Sequence, residues 1–353
     1  MIAPRPHIAA MAPYALADLG SAELVSLAQN ESAFPPSPKA LAAAKAAVAD
    51  LRLYPDPDWT DLRAAIAEVH ALEPAQILCG AGSMELITVL LQAYGGPGSR
   101  VFGSEYGYAF VATAAQQVEA DYLQVEEVDF RVSVEALLQG VGQGAKILFL
   151  CNPGNPTGTA LTTAEVRRLR AALPGKLLLV VDEAYGEFSE EEPLFDLVAR
   201  GDTVVLRTFS KAYGLAGARV GWGYFPSEIA VQVRKLLNPN NVSLISQAAA
   251  AAAMRDQETK RRTVRETARI RGSFAAGLRR LGLVVPESRT NFVLIGFASA
   301  AAAAAADAAL RRQGLLLRGM AGYGLPQCLR ATIGDEAVMQ RCLTVLEEVC
   351  HGV

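Results

Sequence analysis

Histidine, tryptophan and cysteine are scarce in this 353-residue chain, with three, two and five copies. The histidines, His7, His70 and His351, stand far apart, which argues against a histidine-built metal centre. Cys79, Cys151, Cys328, Cys342 and Cys350 are scattered, odd in number and lack a CxxC pair. Neither a disulfide framework nor a zinc site is expected, and the thiols read as reduced and intracellular. An excess of either charge is missing too: 33 Lys and Arg face 36 Asp and Glu, leaving a net charge of −3. A nucleic-acid footprint needs a basic excess on one face, so nucleic acid is not an expected partner. Basic side chains that matter should act locally, on a small anion. No run of about 18 apolar residues occurs. The N-terminal apolar stretch Ile8–Met11 is interrupted by Pro13 and Asp18, without a basic region before it. No membrane partner is expected, and the cytoplasm is the expected location.

What the chain does have is apolar residues, 51% of the total, and a length that suits two domains or one large domain with a smaller lobe. From residue 38 onward, helical and strand-like stretches alternate. Helices are expected over 38–51, 61–70 and 84–94, and short apolar strands at 77–79, 100–102, 121–124, 147–151, 177–182, 203–208 and 221–225. Short apolar runs separated by helices predict an α/β domain whose largely parallel sheet is covered on both faces. The texture changes near residue 240. One or two long helices span 246–282, strands at 291–295 and 315–318 flank an alanine-rich surface helix over 298–313, and a last helix closes the chain over 335–350. The expected division is an N-terminal arm (1–35) joined to a small α+β domain (246–353), with a large domain (36–245) between them.

Four strand-end loops carry the chemistry. Lys211 lies in Thr208-Phe209-Ser210-Lys211-Ala212-Tyr213-Gly214, directly after an apolar strand, with Arg219 eight residues on. Open α/β sheets bind ligands at the carboxyl ends of their strands. Serine donates to phosphate oxygens and arginine offers a bidentate fork, so this loop suits an amine beside an anion; a solvated surface lysine is the plainer alternative. Asp182, in Val181-Asp182-Glu183-Ala184-Tyr185, ends another apolar strand, where an acid is costly unless it meets a cation such as a pyridinium nitrogen or caps the following turn. Asn155 sits in the rigid Asn152-Pro153-Gly154-Asn155-Pro156-Thr157-Gly158, either aimed at a ring hydroxyl or simply part of a tight turn. Gly80-Ala81-Gly82-Ser83-Met84 is a glycine-rich strand-to-helix turn whose free N–H groups can cradle phosphate.

In this order and spacing, together with Asn30-Glu31, Tyr54-Pro55-Asp56-Pro57 and Leu329-Arg330-Ala331-Thr332-Ile333-Gly334, the loops resemble the class I/II aminotransferases of pyridoxal-phosphate fold type I. Within that family the resemblance is closest to the histidinol-phosphate aminotransferases, and it covers nearly the whole chain. It implies pyridoxal 5′-phosphate (PLP) as cofactor and a ping-pong exchange between an amino donor, L-histidinol phosphate, and a 2-oxo acid such as 2-oxoglutarate. By the same resemblance Lys211 holds the cofactor as a Schiff base and shuttles a proton, Asp182 pairs with the pyridine nitrogen, and Asn155 and Tyr185 bond its ring oxygen. Gly82, Ser83, Met84, Ser210 and Arg219 hold the phosphate, and Tyr106 stacks on the ring. Tyr54 crosses from a partner subunit, implying a homodimer with composite sites. Tyr14, Asn30, Arg318 and Arg330 contact the substrate, the two arginines suiting a dianionic phosphate.

Departures from the family pattern lie outside the cofactor core. Met84 stands where Asp is usual, Ser104-Glu105 precedes Tyr106, the arm reads Tyr14-Ala15-Leu16, and the segment Asn238–Val242 is altered. These bear on substrate choice, so an aromatic amino-acid aminotransferase and a decarboxylase of phosphorylated threonine are the rival enzymes. A PLP-sensing regulator would need a DNA-binding domain ahead of the first motif, where only about 30 residues stand.

Overall fold

The computed structural model describes residues 2–13, 24–142 and 144–352. Its strands are Val25–Ser26 (β1), Ile77–Gly80 (β2), Arg100–Ser104 (β3), Asp121–Val125 (β4), Ala145–Cys151 (β5), Leu178–Asp182 (β6), Thr203–Thr208 (β7), Gly221–Tyr224 (β8), Phe292–Gly296 (β9), Leu315–Leu316 (β10), Arg318–Gly319 (β11) and Cys328–Thr332 (β12). The helices are Pro6–Ala10 (α1), Pro38–Ala47 (α2), Thr60–His70 (α3), Ser83–Tyr94 (α4), Phe110–Gln117 (α5), Val134–Gly140 (α6), Thr163–Ala172 (α7), Ser227–Arg234 (α8), Leu244–Arg255 (α9), Gln257–Arg280 (α10), Ala300–Arg312 (α11) and Glu336–His351 (α12).

Seven strands form the main sheet in the order β2-β8-β7-β6-β5-β3-β4. Only β8 runs against its neighbours, so the sheet is parallel apart from one inserted strand. Side chains alternate along a strand, and here both faces are apolar. Ile147, Phe149, Val180, Val204 and Leu206 enter one core with α4 and α9, while Leu148, Leu150, Leu179, Val181 and Val205 enter the other with α6 and α7. Each such buried Leu, Ile, Val or Phe contributes roughly 1.5–3 kcal/mol. That two-sided burial is why these strands read as continuous apolar runs rather than alternating ones.

Several helices start where the sequence supplies a side-chain cap. Thr162 and Glu165 form a reciprocal capping box on α7, and Ser37 caps α2. Helix α9 begins at Leu244 and so straddles the expected boundary at 245, and its Ala249, Ala250, Ala251, Ala253 and Met254 are buried in the core of the seven-stranded sheet. A division at 245 would therefore part this helix from the core it completes. The small alanine side chains let α9 lie close against α2 and α3.

The second lobe centres on the antiparallel sheet β11-β12-β9 and the short parallel pair β1-β10. Leu27 of the N-terminal arm is buried in this lobe's core with α10, α11 and α12. The alanine-rich stretch is a half-buried packing helix rather than a plain surface one. Ala303, Ala306, Ala309 and Leu310 share its buried stripe, against the sheet residues Val293, Ile295 and Leu329.

Candidate active site

The carboxyl ends of β5, β6 and β7 deliver Cys151, Asp182 and Thr208 to one cavity of about 430 Å³ between the two lobes. Lys211, Ser210, Arg219, Asn155, Tyr185, Ser83, Met84, Asn30, Arg318 and Arg330 all line it. Residues from the arm, the large lobe and the C-terminal lobe, up to 300 positions apart, are thus brought together.

The Lys211 Nζ donates to the backbone oxygens of Asn30 at 2.9 Å and Gln29 at 3.2 Å. Burial pulls its pKa down from 10.5 to about 7, helped by the guanidiniums of Arg330 and Arg219 and opposed by Glu31 and Asp182. A neutral amine at working pH is what carbonyl attack requires. Asp182 moves the other way. Burial raises its carboxyl to about 7 despite the Ala184 N–H bonded to Oδ1 at 3.0 Å. An acid with so strong a desolvation penalty is suited to a cation arriving beside it.

Tyr185 is buried with its ring edge-on to Phe292, and its hydroxyl accepts from Asn30 Nδ2 at 2.8 Å. Asn155 Oδ1 accepts from Arg330 Nη1 at 2.5 Å, which leaves its Nδ2 to donate into the cavity. Arg330 also donates from Nη2 to Ala28 O at 2.9 Å and lies 5.2 Å over the Phe292 ring.

The anion end is built from α4 and the loop after β7. Gly82 precedes α4 with φ +83°, and a Cβ there would meet Arg219 Nη2 at 2.5 Å, so glycine is needed both for the backbone turn and for the guanidinium's approach. The amides of Ser83 and Met84 open the first turn of α4, the positive end of its dipole. Ser210 Oγ accepts from Thr208 Oγ1 at 3.0 Å, which directs its own O–H elsewhere, toward an incoming oxygen.

Not every expected residue is at the cavity. Tyr106 lies off it, 5.9 Å from Phe130 and packed with Leu294, Met320, Leu325 and Cys328; Tyr108, two residues on, lines the cavity instead. The intervening Gly107 sits in a turn closed by its N–H on Ser104 O, which swaps which tyrosine faces inward. Tyr54 is 88% exposed and makes no part of the cavity within one chain. Gly82 acts through backbone shape rather than as a lining side chain. Tyr14 lies outside the described residues.

Several residues were missed by sequence reasoning. Glu85 Oε2 accepts from Ala81 N and Asn241 Nδ2 at 2.6 and 2.7 Å, bracing the phosphate turn from the altered 238–242 segment. Thr332 and Asn291 hold Asn30. Their polarity at strand ends was the available signal. Among the described residues, no group of three or more His, Cys, Asp or Glu is placed to hold a metal, and no helix is long and apolar enough to cross a membrane.

A buried lysine amine of lowered pKa, a buried acid, the polar side chains of Asn155 and Tyr185 and a helix start lined by Arg219 share one cavity and fit pyridoxal 5′-phosphate, and together with the sheet they define a fold-type-I pyridoxal-phosphate transferase. The family model described as "Aminotransferase class I and II" matches residues 22–346. The chain belongs to that family and is a PLP-dependent aminotransferase. Curated relatives include the histidinol-phosphate aminotransferases of Ruegeria pomeroyi, 43% identical with 94% of this chain and 91% of that protein covered, and of Paracoccus denitrificans, 43% identical with 98% and 95% covered. Among solved structures, histidinol-phosphate aminotransferase from Sinorhizobium meliloti, in complex with pyridoxal 5′-phosphate, superposes with a TM-score of 0.87 at 32% identity over 93% of this chain and 91% of that one. A Thermus thermophilus aspartate aminotransferase variant shares the fold at 22% identity, TM-score 0.86, over 99% of this chain and 100% of the other.

Proposed function

We propose that the amino donor is L-histidinol phosphate and the acceptor a 2-oxo acid, 2-oxoglutarate, exchanged by a ping-pong mechanism in the cytoplasm. The observation that carries this reading is the pairing of Arg318 with Arg330. They are directly opposed partners on the antiparallel strands β11 and β12, and both line the cavity. Directly opposed side chains share a face of the sheet about 5 Å apart. Two arginines on one face lining the same cavity match a dianionic phosphate better than a single carboxylate. The 43% identity to histidinol-phosphate aminotransferases supports the same donor.

When bound, the cofactor would supply an electron sink for the donor's Cα–H bond cleavage. The chain's residues do the rest. Lys211 Nζ holds the cofactor, then takes and returns the proton, its amine resting on the carbonyls of Gln29 and Asn30 when free. Asp182 would pair with the pyridine nitrogen and favour its protonated form, and Asn155 and Tyr185 would hydrogen-bond the ring oxygen. Gly82, Ser83, Met84, Ser210 and Arg219 fix the phosphate, with Tyr108 rather than Tyr106 as the stacking ring. Asn30 aligns Tyr185 and Lys211 beside the donor, and Tyr14 completes the donor site from the arm. The exposed Tyr54 reaches the site of a second subunit, which makes the working unit a homodimer.

The test is a half-reaction on the cofactor-loaded protein. L-histidinol phosphate without any oxo acid should bleach the visible band rapidly, whereas L-phenylalanine should act slowly. Bleaching by phenylalanine alone would assign the arginines to a carboxylate and reject the proposed donor.

A further inference from the structure

Behind the cavity lies a buried ion cluster that takes no direct part in the site. Arg207 donates from Nε and Nη2 to Glu183 Oε2 at 2.9 and 2.6 Å, and from Nη1 to Glu187 Oε1 at 3.1 Å. The three side chains are 5%, 6% and 3% exposed. The guanidinium lies 5.4 Å from the Phe195 ring centre and against Gly186, where a Cβ would meet its Cζ at 2.8 Å. His70 from α3, Lys260 from α10 and Tyr213 face the same cluster. Two carboxylates and one guanidinium are expensive to bury, and well-packed apolar residues often stabilise a fold as well or better. Stability alone is a weak reason for such a cluster.

Its place in the chain suggests another. Glu183 follows Asp182, Glu187 comes two residues after Tyr185, and Arg207 precedes Thr208, which holds Ser210 beside Lys211. Asp182 and Thr208 face the cavity, and strand alternation turns Glu183 and Arg207 the opposite way. The backbone joins the same two strand ends, with Glu183 N–H on Leu206 O at 2.9 Å. We infer that Glu183, Arg207 and Glu187 are positioning residues: the cluster clamps the carboxyl end of β6 to that of β7, setting the spacing at which Asp182 and Lys211 serve one ring. This rests on the roles proposed above for Asp182 and Lys211. Arginine is required for the clamp, because its fork grips Glu183 and Glu187 at once while a lysine offers a single point of charge.

The deciding variant replaces the cluster by apolar residues of similar size, Glu183→Leu with Arg207→Met and Glu187→Leu. The melting temperature should stay within a few degrees of wild type. Cofactor affinity, measured by absorbance after dialysis, should fall about tenfold, as is usual when a supporting shell is lost. The pH midpoint of the lysine-bound cofactor's visible band should move by roughly one unit. In the cofactor-free protein, amide exchange at Glu183–Tyr185 and Ser210–Lys211 should quicken. A folded triple variant with wild-type affinity, midpoint and exchange overturns the inference. Should that protein fail to fold, Arg207→Lys decides instead: weakened affinity with a shifted midpoint supports the clamp, and neither change refutes it. A wild-type protein that does not form the lysine-bound band, or a Lys211→Ala protein that does, would instead refute the underlying reading of the site.

Discussion

Replacing Lys211 with methionine should make the cofactor-free protein more stable while abolishing aminotransfer. The amine is held among groups that disfavour its charge: burial is the largest, followed by the guanidinium of Arg330, with Arg219 adding to it. A fall from the ordinary 10.5 to about 7 corresponds to about 5 kcal/mol of cost in the charged form, at ~1.4 kcal/mol per pH unit. The cavity is open to water, which screens part of this, so about 2 kcal/mol is the working figure. With an unfolding entropy of ~2.1 cal/mol/K per residue over 353 residues, that is a rise of about 3 °C in melting temperature. The sign follows from linkage. The folded pKa is lowered, so the cost is fully present below pH 7 and fades as the pH climbs toward 10.5, where the amine is neutral in both states. Asp182, raised to about 7 by burial, is half ionised at the start of that range and almost wholly ionised by about pH 8, so the lysine alone titrates over the upper part of the comparison. Calorimetric melting of both proteins, stripped of cofactor, from pH 7 to 10 reads the gap directly. A variant no more stable than wild type at pH 7, or a gap that widens with alkalinity, would refute the reasoning.

Other substitutions separate the parts of the site. Arg330→Lys loses the fork to Asn155 Oδ1 and Ala28 O and should cost about 2 kcal/mol of donor binding, a roughly 30-fold rise in donor KM, with cofactor affinity changed far less; equal losses in both would place Arg330 in cofactor binding. Gly82→Ala puts a methyl 2.5 Å from Arg219 Nη2 at φ +83°, so cofactor affinity by equilibrium dialysis should fall more than tenfold, and an unchanged value would remove Gly82 from the phosphate cradle. Tyr108→Ala should shift the visible spectrum and weaken cofactor binding, while Tyr106→Ala should lower the melting temperature by its loss of packing on Phe130 and leave the spectrum intact. The reverse result would return the stacking role to Tyr106.

Much of this architecture was legible in the residues because it is local. Two-sided burial makes the strands of a parallel sheet apolar throughout, so β5, β6 and β7 stand out as runs, and the turn residues that follow them announce strand-end loops. Lys211, Asp182 and Asn155 were therefore found as chemistry at the ends of strands, where ligands of open sheets collect. The antiparallel β8 was not legible, since an apolar strand reads the same in either direction.

Tertiary structure decided what depends on distant partners. A turn at Gly107 selects Tyr108 over Tyr106, which no spacing rule distinguishes. The alanine-rich α11 looks like a surface helix by propensity, and only the surfaces it meets make it a packing helix. The pKa values of Lys211 and Asp182 converge on about 7 because the fold buries both and brings Arg330 beside the amine from 119 positions down the chain. Sequence supplied the reactive groups and the loops that hold them; burial and charge from remote segments, which exist only once the lobes close on one another, set how those groups can react.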